Sequence, residues 1–224
     1  MQHYQNSILH VICEGKSERN YLGALNRMFR ESALEFTLQP FNPFKNAEMA
    51  GGHYKRVIES YKKFKKTNRN TEPWLWVDWD LYCRNDRDCG YLYEHRPAGI
   101  PPFLFSVYNF EDFLVLHSPR ERVLEWVDVC RRHGHLDEPL HSEKYMELFK
   151  DFFAEYRKGV LPDTLSMLTA EQVENAISHS LDDAIPFKCH FIETLAGHIV
   201  KLFPACGRPW NRALCECVQS DKAQ

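Results

Sequence analysis

Long apolar runs are missing from this 224-residue chain. No stretch approaches the roughly 20 residues needed to cross a bilayer, and the opening residues lack a basic segment followed by an apolar one. A cytoplasmic protein with no membrane contact is the expectation. Positive charge is not in excess either. The formal net charge of -3 excludes coating of nucleic acid by net charge alone and confines any such contact to a local patch. The eight cysteines include no Cys-x-x-Cys pair, so neither Cys206, Cys215 and Cys217 nor Cys83 with Cys89 has the spacing of a zinc ribbon. Without a secretion signal, reduced thiols are expected. A Gly-x-Ser-x-Gly elbow is absent, which disfavours a serine hydrolase, and Cys13 lies inside an apolar run with no evident histidine partner. Glu14-Gly15-Lys16-Ser17 lacks the upstream glycine of a Walker loop, so a nucleotide-driven step would need a partner. Internal repeats and low-complexity tracts are lacking too.

What the chain has is 44% hydrophobic and 13% aromatic residues, enough for a proper core. Its most informative stretch is Trp74-Leu75-Trp76-Val77-Asp78-Trp79-Asp80. On a strand, the spacing of Asp78 and Asp80 sends both carboxylates to one side. Two neighbouring carboxylates repel and are costly to desolvate unless a cation or strong donor compensates them. The pair therefore reads as a divalent-metal site, with ordinary strand-end turn residues as the alternative. A second acidic landmark is Ile8-Leu9-His10-Val11-Ile12-Cys13-Glu14-Gly15, an apolar strand followed at once by a helix start. Ligands of open α/β sheets collect beyond the carboxyl ends of strands, so Glu14, Asp78 and Asp80 converge if their strands are neighbours.

Ser17 can cap the first helix, whose apolar face holds Tyr21, Leu22, Leu25, Met28 and Phe29. Glu18 in its first turn fits an acid placed there by the helix dipole. A second strand is expected over 35–39, closed by Pro40, then a loop over 41–52, a helix near 53–66 and the strand 74–80. This β-α-β-α-β order favours a mainly parallel sheet flanked by helices. Residues 81–102 form a long polar connection placed to cover a substrate. A fourth strand (103–107) and a helix (110–117) follow. After Pro119 only helical patterns occur: 120–132, 142–157, 169–182 capped by Thr169, and 189–203. The division implied is an α/β domain over 1–118 and a helical extension over 119–224, packed on the sheet or forming a partner surface.

The helix near 53–66 interleaves Lys55, Arg56, Lys62, Lys63, Lys65 and Lys66 with Tyr54, Val57, Ile58, Tyr61 and Phe64. The apolar set recurs at helical spacing and so forms the buried stripe. The lysines then occupy the opposite face, as a solvated surface or, the less favoured reading, a nucleic-acid patch.

Three blocks carry a resemblance. Val11-Ile12-Cys13-Glu14-Gly15-Lys16-Ser17-Glu18 with Asn20-Tyr21 resembles the opening of RloB-like proteins, small Toprim-fold proteins of bacterial anti-phage defence loci. Trp76-Val77-Asp78-Trp79-Asp80 resembles the family's Asp-x-Asp strand. Ser106 to His117, with Asn109, Phe110, Glu111 and Leu114-Val115-Leu116-His117, resembles its later Asn, Phe-Glu and His block. Here Asn109 abuts Phe110 where the family commonly has an intervening Pro-Cys, and the Asp-x-Asp middle residue is the bulky Trp79. The resemblance implies a Toprim-like α/β fold and a Mg2+- or Mn2+-dependent nuclease acting on RNA or DNA. It implies catalytic roles for Glu14, Asp78, Asp80 and Lys16, and metal ligation by Glu14, Asp78, Asp80 and Glu111. A partner ATPase is a further implication, and a homo-oligomeric state stays open. The alternative is a non-catalytic binding or regulatory subunit of an ATPase-containing defence complex.

Overall fold

The computed structural model describes residues 7–32, 34–42, 54–79, 98–154 and 156–203. Among these, β1 (Ser7–Cys13), α1 (Lys16–Glu31), β2 (Phe36–Pro40), α2 (Tyr54–Thr67), β3 (Trp74–Asp78) and β4 (Phe103–Ser106) build the sheet and its first two helices. The helices α3 (Phe110–Val115), α4 (Arg120–Arg132), α5 (Ser142–Phe152), α6 (Asp163–Ser166), α7 (Ala170–Leu181) and α8 (His190–Leu202) follow. The strands lie in the order β2-β1-β3-β4, every pair parallel. The fold is α/β, a parallel sheet flanked by helices with an α-helical C-terminal extension, consistent with a Toprim-like architecture.

A parallel sheet covered on both faces explains why β1 and β3 read as continuous apolar runs. The period of two then sorts their residues. Ile12, Leu75, Val77, Phe103 and Phe105 face α2 and its Tyr54, Val57, Ile58, Tyr61 and Phe64. Val11 and Trp76 point the other way, into a larger core shared by α1, α3 and the helices beyond Pro119. Trp76 stacks on Phe191 of α8 with ring centroids 4.2 Å apart and planes within 8°, and its indole N–H donates to the Ser106 hydroxyl at 3.0 Å. The β4 edge is covered where Val107 N–H donates to the Lys188 carbonyl and Ser106 bridges Cys189. Cys13, Cys130 and Cys189 are free thiols, and the other cysteines, with residues 80–97, lie outside the described residues.

Three local expectations change. The first helix is capped at Gly15, with Glu18 Oε1 accepting from Gly15 N–H at 3.2 Å, so Ser17 lies within the first turn. The helix expected over 142–157 ends at Phe152, because Phe153 (φ -126, ψ 85) leaves helical geometry. The chain then turns back through an Arg157–Val160 bridge, with Gly159 in the left-handed region (φ 82). A short helix, α6, also stands where no element is expected from the sequence.

The extension is tied to α3 by one buried carboxylate. Asp112 Oδ1 accepts from the Trp126 indole N–H and the Tyr145 hydroxyl, both at 2.8 Å. Its Oδ2 lies 3.0 Å from His135 Nε2. Since His135 Nδ1 accepts from Leu140 N–H at 3.1 Å, Nε2 is the nitrogen that carries a hydrogen and donates to Asp112. Each helix of the junction thus supplies a donor to a group that is fully buried. Asp112→Asn turns an acceptor into a donor facing these donors. It should cost at least about 2 kcal/mol in chemical denaturation, the scale of a buried donor left unsatisfied. A loss below about 0.5 kcal/mol would show that the clamp contributes nothing.

Candidate functional site

The site is built at the carboxyl ends of β1 and β3. Glu14 N–H donates to the Trp76 carbonyl at 3.1 Å, extending the ladder one residue past β1. The chain then breaks into α1, and the Glu14 carboxylate swings onto the neighbouring strand. There Oε2 accepts from Asp78 N–H at 3.1 Å. Asp78 shares strand parity with Trp76 and so faces the side of α1 and α3. Both acids are half-buried.

Two further acids stand on that side, and sequence reasoning gave one of them only a local role. Glu18 does serve the helix start, but it is only 3% exposed. Its carboxyl is pushed up to about 7, chiefly by burial, with the negative charge of Glu111 adding. Glu111 is also buried and raised, by burial first, with the Tyr156 hydrogen bond and the positive charge of Lys158 opposing. The Tyr156 hydroxyl donates to Glu111 Oε1 at 2.5 Å. The same phenol bonds Ser17 and lies within electrostatic reach of Asp78; burial and the charge of Glu111 raise it far above its ordinary value. Tyr156 therefore joins Glu111 to the α1 start.

Local geometry serves this crowding. A Cβ at Gly15 would stand 2.8 Å from Glu18 Oε2, so any larger residue displaces that buried carboxylate. The 157–160 turn is fastened to α1 where Asn20 Nδ2 donates to the Gly159 carbonyl at 2.7 Å. Lys16, exposed, runs its alkyl stem past Gly159, and the exposed Lys158 comes from the turn itself. On the other side, Tyr108 adopts a left-handed backbone (φ 70), a conformation that costs a non-glycine residue of order 1 kcal/mol or more. It turns the chain out of β4 so that Asn109 caps α3, accepting from Asp112 N–H at 3.1 Å, and Glu111 enters the site.

Of the residues singled out in the sequence, Glu14 and Asp78 are in contact, and Glu111 is held by Tyr156 and bears on Glu18. Lys16 borders the cluster, and Asp80 lies outside the described residues. His117 is a core group. Its Nε2 pairs with the Tyr21 hydroxyl at 2.8 Å, its Nδ1 with the Leu114 carbonyl, and burial pushes it down to about 4. Glu18, Ser17, Tyr156 and Lys158 were missed. No local spacing marks them: Glu14 precedes the extended Gly15 cap and is not on the helix, so its separation of four from Glu18 sets no shared face.

No family model, curated protein or solved structure matches this chain.

Two groups could be considered for a metal. Asp112, Cys130 and His135 bring ligand atoms within 4.8 Å of one another, but the Asp112 oxygens and both His135 nitrogens are committed to hydrogen bonds. Ligation through Nε2 would require Nδ1 to become the N–H donor, opposite the Leu140 N–H that now donates to it. This cluster does not fit an ion. Glu14, Asp78 and Glu111 are all-oxygen donors of the kind a hard divalent cation takes, but among the described residues their ligand atoms are not gathered within 4.8 Å of one another.

The raised Glu18 fixes a sign for pH dependence. The folded protein holds that proton more tightly than the unfolded chain, so this group's stabilisation is full below about 4.5 and is lost as pH rises through about 7. In chelator, Glu18→Gln should flatten that slope and be more stable than the parent above pH 7, by on the order of 2 kcal/mol. Parallel stability curves for the two proteins between pH 4.5 and 7.5 would contradict the assignment.

Proposed function

We propose that this protein is a metal-dependent nuclease of Toprim type, RloB-like in kind, that cleaves nucleic-acid phosphodiesters. The observation that carries the reading is the 3.1 Å contact between Glu14 and Asp78 at adjacent strand ends, with the buried Glu111 held by Tyr156 near Glu18 at the α1 start. Mg2+ or Mn2+, held by Glu14, Asp78, Asp80 and Glu111, would supply charge neutralisation at the phosphate and a more acidic bound water.

The chain's own residues supply the rest. Glu14 orients the attacking water and takes its proton, its carboxylate steadied by the Asp78 N–H. Lys16 and Lys158, both exposed beside the acids, attract the substrate phosphate. Tyr156 keeps its hydroxyl proton and holds Glu111 in orientation. A role in anti-phage defence with a partner ATPase belongs to this proposal and rests on the resemblance of the three sequence blocks.

Mixed RNA and DNA incubated with Mg2+ or Mn2+, with and without a neighbouring ATPase, tests the activity. Glu14→Gln keeps an oxygen to accept from Asp78 N–H, so folding should persist while the cleavage rate falls by about 10²–10⁴-fold. Asp78→Asn should weaken metal binding in calorimetry, because affinity follows carboxylate number. Full activity in Glu14→Gln would remove Glu14 from the chemistry, and an unchanged titration for Asp78→Asn would remove it as a ligand. If no condition yields cleavage, a non-catalytic binding subunit becomes the better reading.

A further inference from the structure

We infer that the outward face of α2 is a track for the sugar-phosphate backbone of nucleic acid, delivering the strand to the acidic crevice. The inference rests on the nuclease reading above for the identity of the polyanion, and on the helix itself for the surface. Lys55, Arg56, Lys62, Lys63 and Lys66 are all exposed on α2, whose one acid is Glu59. At 100° per residue these five, with the exposed Glu59 among them, fall within about a third of the helix circumference, opposite the buried Tyr54, Val57, Ile58, Tyr61 and Phe64. Lys65 lies outside that third of the circumference, and its ammonium donates to Glu72 and to the Arg69 and Thr71 carbonyls. A chain of net charge -3 thus concentrates positive charge on one helix.

The stripe runs about 17 Å from Lys55 to Lys66 at 1.5 Å per residue. That is about five nucleotide steps at 3.4 Å. Its direction matters. Only residues 68–73 separate the end of α2 from the start of β3, so α2 runs against the parallel strands and begins at their carboxyl ends. Lys55 and Arg56 therefore lie at the end of the sheet that carries Glu14 and Asp78.

Charge complementarity selects the occupant. An anionic membrane is disfavoured because every large apolar side chain of α2 is already buried against the sheet, leaving nothing to insert. An acidic protein would dock around apolar or aromatic anchors, and this face has none. Four of the five cations are lysines, point charges suited to phosphates without base reading, so the track should bind without sequence preference.

The test measures binding in EDTA, where metal-dependent cleavage is suppressed, by anisotropy of a fluorescein-labelled 30-nucleotide single strand, RNA in one arm and DNA in the other. Lys62→Glu/Lys63→Glu/Lys66→Glu should weaken binding at least tenfold at 0.1 M salt. The milder Lys62→Gln/Lys63→Gln/Lys66→Gln should make the slope of log affinity against log salt shallower by about two, three lost contacts at about 0.7 each. Arg131→Glu/Arg132→Glu, on the exposed face of α4, should leave binding at the parental level. Unchanged affinity and slope in the folded lysine variants would overturn the proposal. So would an equal loss in the α4 variant, or displacement of the strand by polyglutamate at equal charge concentration. Because cleavage is not read, failure of the nuclease reading shows separately, as strand binding through α2 with no cleavage when metal is restored.

Discussion

Negative charge gathered at one edge of a parallel sheet is the constraint on which the rest of the molecule depends. Glu14 and Asp78 are placed there by the pairing of β1 with β3, and Glu18 and Glu111 are both buried, the charge of Glu111 adding to the rise of Glu18. Carboxylates so arranged oppose folding, and the surrounding residues read as responses. Gly15 leaves room for the Glu18 carboxylate, Tyr156 donates to Glu111, and the charges of Arg19 and Lys158 bear on Glu18 and Glu111 respectively. Such an arrangement has a reason to exist if the edge meets cations and phosphates.

The helical extension belongs to the same argument. Its helices share one apolar core with α1, α3 and the inner face of the sheet, and its segment 156–160 carries Tyr156 and Lys158, which act on Glu111. Asp112, next to Glu111 on α3, is clamped by Trp126, Tyr145 and His135. The clamp fixes α3, and with it the angle at which Glu111 enters. Removing residues beyond Pro119 would therefore strip the site of its donor and loosen one of its acids.

Much of this was legible in the sequence, because it depends on local periodicity. The continuous apolar run Trp74-Leu75-Trp76-Val77 ending in Asp78 gave β3. Helical spacing gave α2 and α4, and Thr169 with Gln172 forms the cap expected for α7. The meeting of Glu14 with Asp78 followed from a general rule about parallel sheets. What escaped depends on partners far along the chain. Apolar spacing continues past Phe152, so nothing local shows that the chain must turn back to carry Tyr156 to Glu111, 45 residues away. Glu18 satisfied a local rule so well that its burial left no sequence trace, and nothing local marks Asp112 as the acceptor for three distant donors.

The central claim is that the acidic edge, and not the buried Asp112 cluster, holds a divalent cation. Anomalous diffraction from crystals grown with Mn2+ addresses it directly. The account predicts a peak at ligand distance from carboxylate oxygens of both Glu14 and Asp78, absent from Asp78→Asn crystals grown the same way. A map with no peak at that edge, or with the ion seated among Asp112, Cys130 and His135, would contradict it.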